Sequence, residues 1–141
     1  MQTSTLIKSI NRFSALHKEK ISKIIETQGL YWGQHPILWD LLNNGPETQA
    51  ELVNHLGVSA PSITNSIKRL SKNGFVTKQT DENDLRKTCI QLTEKGEFAA
   101  LYCRREFAVL DEIAFHNLSD ESRGEVNRLF QQMICNLEHM E

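Results

Sequence analysis

Residues 48–74 read Thr48-Gln49-Ala50-Glu51-Leu52-Val53-Asn54-His55-Leu56-Gly57-Val58-Ser59-Ala60-Pro61-Ser62-Ile63-Thr64-Asn65-Ser66-Ile67-Lys68-Arg69-Leu70-Ser71-Lys72-Asn73-Gly74, and this stretch decides the fold. It opens on a T-x-x-E box, in which the Thr48 hydroxyl and the Glu51 carboxylate each satisfy an orphan amide at a helix start. Leu52, Val53 and Leu56 form the apolar stripe of that helix, and Gly57 ends it, because glycine accepts the left-handed conformation a helix terminus requires. Only Val58 separates Gly57 from Ser59, the N-cap of a second helix whose stripe is Ile63, Ile67 and Leu70 and whose stop is Asn73-Gly74. Two short helices joined by a tight glycine turn predict a helix-turn-helix.

Outward from this pair the pattern changes twice. Phe75 to Thr80 and Thr88 to Leu92 are short, rich in β-branched residues, and flank the polar stretch Asp81 to Lys87, which predicts a β-hairpin with an exposed loop. A hairpin placed there is a wing. Upstream, Leu6, Ile10, Phe13, Leu16, Ile21, Ile24 and Ile25 recur at helical steps up to Gln28-Gly29, and a further helix starts at Pro36 and stops at Asn44-Gly45-Pro46. Downstream, Thr93 and Ser119 cap two more helices carrying Phe98, Leu101, Tyr102, Val109 and Ile113, then Val126, Leu129, Phe130, Met133 and Leu137. The expected architecture is mainly α: one domain over residues 1–141, with a winged lobe at 36–92, a two-stranded β-wing, and flanking helices at 6–28 and 93–140. The long amphipathic helices exceed what so small a lobe can cover, so the expected assembly is a homodimer in which they are the dimerisation helices.

The composition supports this picture. The chain has 141 residues, 39% hydrophobic and 24% charged, which suits one packed domain and excludes a disordered or low-complexity chain. Its net charge of −2 does not announce a polyanion partner. The distribution does, since residues 60–90 carry six basic groups against three acidic ones. The three cysteines, Cys89, Cys103 and Cys135, have no paired or zinc-ligand spacing, and no apolar run is long enough for a membrane, so a cytoplasmic protein in a reducing compartment is expected. The five histidines are scattered, leaving a distant set such as His35 with His116 as the only metal option. No phosphate-cradling glycine loop or nucleophile elbow is present, so neither an enzyme nor a cofactor or metal is expected.

In a helix-turn-helix the second helix enters the major groove of DNA. With Ile63, Ile67 and Leu70 turned inward, Pro61, Ser62, Thr64, Asn65, Lys68, Arg69 and Lys72 project outward, the short polar groups placed for bases and the cations for phosphates. A flexible wing ending in Arg86-Lys87 suits the minor groove, where a narrow A·T tract favours a guanidinium. Asp84 either orients an arginine or braces the wing. The alternative function is a winged helix used for protein interaction, which calls for aliphatic or acidic groups at these outward positions.

The run Asp84-Leu85-Arg86-Lys87 with Leu92-Thr93 and Gly96 resembles the D-x-R…L-T-x-x-G wing signature of the MarR (multiple antibiotic resistance regulator) family of bacterial transcription factors. Leu52 to Thr64 resembles that family's L-x-x-x-L-G-(V/I)-S-x-(P/S)-(S/T)-(V/I)-(T/S) motif, and Leu70 to Val76 its L-x-x-x-G-(L/F)-(V/I). The resemblance implies a dimer on a pseudo-palindromic operator of double-stranded DNA, usually as a repressor, with Ser62, Thr64, Asn65, Lys68 and Arg69 on the recognition helix. It also implies that Arg86 is the minor-groove arginine and Asp84 its partner acid. Many members bind a small apolar or phenolic effector, for which Tyr31, Trp32, His35 and Trp39 are the candidate lining here, the other reading of this cluster being plain core. The family's peroxide-sensing branch carries a cysteine in the first helix, which this chain lacks. Cys89 lies on the wing strand beside the cationic Lys87, and Cys103 and Cys135 read as buried hydrophobes.

Overall fold

The structure, a computed structural model, describes residues 1–140. Six helices and three strands follow in the order α1 (Thr3–Thr27), α2 (His35–Asn44), β1 (Glu47–Thr48), α3 (Gln49–Leu56), α4 (Ala60–Lys72), β2 (Val76–Thr80), β3 (Thr88–Leu92), α5 (Glu94–Ala114) and α6 (Asp120–Glu138). The chain divides into two compact units, Met1–Phe107 and a second beginning at Ala108.

Local chemistry sets the boundaries in the first unit. The Thr48 hydroxyl accepts from Glu51 N–H at 3.2 Å and the Glu51 carboxylate accepts from Thr48 N–H at 3.0 Å, so both halves of the capping box form. Gly57 adopts φ 64° and ψ 25° at the turn into α4, and the Ser59 hydroxyl accepts from Ser62 N–H at 3.3 Å. Pro36 lies in the first turn of α2, where its missing N–H has no intrahelical partner to lose.

The hairpin pairs β2 with β3 antiparallel, from Val76 opposite Leu92 to Thr80 opposite Thr88. The sheet also gains a third strand: β1 pairs with β3, Glu47 opposite Ile90 and Thr48 opposite Cys89, giving the order β1-β3-β2. Beneath it lies a core of Leu38, Leu41, Leu52, Ile63, Ile67, Leu70, Phe75, Val76 and Ile90, joined by Ile25, Leu30 and Ile37.

One joint holds the end of α4, the root of the wing and the start of α5 together. The Thr93 hydroxyl donates to the Gly74 carbonyl at 2.6 Å and accepts from Gly96 N–H at 3.1 Å, and Thr93 N–H donates to the Phe75 carbonyl at 3.1 Å. The Lys95 ammonium donates to the Asn73 carbonyl at 2.7 Å while lying 4.4 Å from the Phe75 ring centre. Gly96 is buried here, and a Cβ on it would overlap the Phe75 carbonyl oxygen.

In the second unit, α6 is capped by the Ser119 hydroxyl, which accepts from Ser122 N–H at 3.2 Å. The Arg123 guanidinium grips Glu112 at 3.1–3.2 Å and donates to the carbonyls of Phe115 and Leu118, closing the turn in which Asn117 adopts φ 64°. Helix α6 has no buried residue, and Leu129, Phe130, Met133, Ile134 and Leu137 stand exposed along it. On α1, Leu6, Ile7, Phe13 and Leu16 are likewise exposed.

Gly96→Ala is expected to lower stability by about 1–3 kcal/mol, the usual cost of forcing a methyl into filled space. Urea midpoints of the variant and the parent check this; an unchanged midpoint would mean that the joint yields freely.

Candidate nucleic-acid interface

Helix α4 is amphipathic in the strict sense that one face disappears. Ile63, Ile67 and Leu70 are at most 2% exposed. With 3.6 residues per turn this fixes the rotation of the helix, and Pro61, Asn65, Lys68 and Lys72 lie along the line opposite the buried stripe. All seven outward positions expected from the sequence are exposed. They do not share one environment, however. Thr64 turns toward α3: its hydroxyl lies 3.0 Å from the Ala60 carbonyl and 3.1 Å from Gln49 Oε1, spanning the two helices of the motif. Ser62, Asn65 and Arg69 turn the other way, where they and Ser66 form one wall of a cavity of about 530 Å³.

The opposite wall of that cavity is the segment between α1 and α2, through Tyr31, Trp32 and Gln34, and the start of α2, through Pro36 and Ile37, with Leu56 at the end of α3 and Val58 in the turn after it contributing. Buried Gln34 anchors the segment, its side-chain oxygen accepting from Tyr31 N–H at 2.9 Å. Of the four aromatic residues named as candidate effector lining, Tyr31 and Trp32 line this cavity. His35 and Trp39 are not among the lining residues. The His35 ring packs edge-on to Phe107 at 5.1 Å, and Trp39 lies under the Arg104 guanidinium at 4.7 Å. Burial pushes the His35 pKa below its ordinary value, and its Nδ1 is buried with no hydrogen-bond partner among the described residues.

The wing loop is organised by its own short bonds. Asp81 N–H donates to the Lys87 carbonyl at 2.9 Å, and Lys87 N–H donates to the Asp84 carbonyl at 2.9 Å. Asp84 Oδ1 accepts from Arg86 N–H at 3.0 Å, and Asp81 Oδ1 accepts from Asn83 N–H at 2.8 Å. Asp84 therefore shapes the turn through the backbone of Arg86, and the Arg86 guanidinium extends from the tip. Among the described residues, Lys68, Arg69, Lys72, Arg86 and Lys87 form no ion pair, so their charges face solvent. Five unneutralised cations on one helix and the adjoining hairpin make a surface for a polyanion.

A second cluster escaped the sequence reading. Asp40, Glu47 and His55 come from α2, β1 and α3 and converge at one point. Burial first, then the neighbouring Asp40 carboxylate, pushes the Glu47 carboxyl up to about 7, while its hydrogen bond to Asp40 raises His55 above its ordinary value. Neither the seven-residue nor the eight-residue spacing is a ligand motif, and the packing of α2, β1 and α3 is what joins them. Cys103 is buried and its thiol is pushed up to about 11 by burial, Cys89 is half-buried, and Cys135 is exposed rather than buried.

A capped helix pair, a basic outer face and an arginine-tipped hairpin define the winged helix-turn-helix class of nucleic-acid-binding proteins. Residues 30–88 match the MarR family. Over 129 residues the chain is 32% identical to the HTH-type transcriptional regulator YwoH of Bacillus subtilis, covering 92% of this chain and 93% of that protein. The chain belongs to the MarR family. Its fold is also that of a Listeria monocytogenes MarR family regulator solved with a 26mer DNA, at TM-score 0.72 and 20% identity over 93% of this chain and 87% of that one. It is shared as well by Staphylococcus aureus MarR solved with salicylate and kanamycin, at TM-score 0.77 and 21% identity over 98% and 94%.

The His35 shift has a consequence for stability. An unfolded histidine titrates near pH 6.5, about where the free side chain does, whereas folded His35 takes up its proton only at lower pH. The folded state is thus penalised progressively as pH falls through about 6.5 toward the folded value, and nothing is lost above it. His35→Phe, which keeps the edge contact to Phe107, should show a smaller drop in urea midpoint between about pH 7.5 and about pH 5.5 than the parent. Equal drops would refute the assignment.

Proposed function

We propose that this chain is a homodimeric, sequence-specific DNA-binding regulator of transcription, a cytoplasmic repressor that occupies a pseudo-palindromic operator with one α4 per half-site. The observation that carries this is the cationic outer face of α4, held outward by a fully buried aliphatic stripe and continued by Arg86. Asn65 faces the bases, where an amide pairs with an adenine edge, and Lys68, Arg69 and Lys72 meet the phosphates. Pro61 and Ser62 sit at the entering end of the helix. Arg86 enters the minor groove, Lys87 meets the flanking phosphate, and Asp84 holds the turn that presents them. Thr64 sets the spacing of α3 and α4.

Dimerisation follows from the helices outside the lobe. Most helical stability comes from packing an apolar face, and α6 has no fully buried residue, so its apolar stripe and that of α1 supply the contact with a second copy. The cavity beside α4 suits a small phenolic or other aromatic acid, with Tyr31 and Trp32 against the ring and Arg69 opposite the carboxylate. Because Asn65 and Arg69 also belong to the DNA-facing side, such an effector competes directly with the operator.

Arg86→Ala should weaken operator binding about tenfold or more in a gel-shift titration at fixed salt, equivalent to about 1.4 kcal/mol, with the dimer intact by sedimentation. Lys68→Ala should weaken binding on all sequences alike and reduce the slope of log K against log salt by about one. The operator for both measurements comes from sequencing the genomic DNA that the protein retains. A response flat in salt, with no sequence enriched, would turn the reading toward a protein partner.

A further inference from the structure

Away from the outer face of α4, three ligand atoms meet where α2, β1 and α3 join. His55 Nδ1 lies 3.1 Å from Asp40 Oδ2 and 2.7 Å from Glu47 Oε1, and one donor atom from each of the three residues lies within 4.8 Å of the others. An imidazole nitrogen carries at most one proton, so it satisfies one of these carboxylates and leaves the other beside a like group. Glu47 sharpens the problem. Its side chain is 4% exposed, and its second oxygen, Oε2, is buried with no hydrogen-bond partner among the described residues. A buried carboxylate oxygen left unpaired is costly.

We propose that Asp40, Glu47 and His55 form a binding site for a divalent transition-metal cation, with Zn²⁺ as the best match. Donors at about 2.0–2.2 Å from a tetrahedral ion stand roughly 3.4 Å from one another, so the two separations from His55 need to open by less than about 1 Å. One imidazole with two carboxylates is the donor set of zinc and its neighbours; calcium and magnesium prefer oxygen alone, and no thiolate is present to select a softer ion. The Asn44 side-chain amide donates to Asp40 Oδ1 at 3.0 Å, which leaves Oδ2 turned toward His55. Asp40 and His55 side chains are 15% and 42% exposed, giving the ion a path in and room for water in its remaining position. A bound ion neutralises the two carboxylates and ties the strand before α3 to α2. This inference does not depend on the DNA-binding reading.

The test is calorimetric titration of the chelator-treated full-length protein with Zn²⁺, together with thermal melting and the visible absorption of the Co²⁺ form. Cys135→Ser serves as the parent, because the exposed Cys135 Sγ lies 3.6 Å from His139 Nδ1 on α6 and offers a second place for zinc. One Zn²⁺ per chain is expected, with a rise in melting temperature and a cobalt spectrum free of thiolate charge transfer. Asp40→Asn, Glu47→Gln and His55→Gln should each weaken binding at least about tenfold and abolish the melting shift. Glu47 is buried, so the more exposed His55→Gln keeps the test valid if Glu47→Gln fails to fold. Absence of zinc uptake, or uptake unchanged in these variants, would overturn the proposal and leave an ion-free Asp–Glu–His cluster.

Discussion

The burial of Ile63, Ile67 and Leu70 is the constraint on which the rest of the molecule depends. Each such side chain is worth about 1.5–3 kcal/mol when taken fully out of water, whereas an exposed ion pair contributes about 0–1 kcal/mol. No arrangement of surface charge competes with three buried aliphatics for control of the helix's rotation. The cations of α4 therefore stand where the core puts them, already separated and desolvated by nothing, and their cost is deferred until a polyanion arrives.

The same rotation gives α4 three different neighbours. Thr64 faces α3, the stripe of Ser62, Asn65, Ser66 and Arg69 faces the cavity opposite Tyr31 and Trp32, and Lys68 and Lys72 face outward. Arg69 and Asn65 thus lie on the border between the cavity and the outward cationic face. At the far end of the helix, the joint around Thr93 and Gly96 holds the carbonyls of Asn73, Gly74 and Phe75, so the end of α4, the wing root and the start of α5 move together.

What the sequence revealed was the chemistry that acts over three or four residues. The capping box at Thr48, the caps at Ser59 and Ser119, the proline near the start of α2 and the stripe of α4 are all local, and each lies in the structure where spacing put it. Strand β1 was not legible, since two residues gain strand character only from a partner forty residues away. The meeting of Asp40, Glu47 and His55 was hidden as well, because their short spacings match no ligand motif. Thr64 was read as one outward residue among seven because helical spacing gives a direction but not the side chain of the neighbouring helix that waits there. Tyr31, Trp32, His35 and Trp39 were grouped by proximity in sequence; the His35 ring does meet Trp32 edge-on at 6.3 Å but also packs on Phe107, and Trp39 lies under Arg104, so neither His35 nor Trp39 reaches the cavity wall.

The wing tip closes on itself: the hydrogen bonds of Asp81, Asn83, Arg86 and Lys87 end within that loop, on Asp81, Asp84 or Lys87. It behaves as a detachable cartridge plugged into a fixed socket. Its length and lettering are free to drift without disturbing the body, so the loop is able to diverge among descendants while α4 stays as it was.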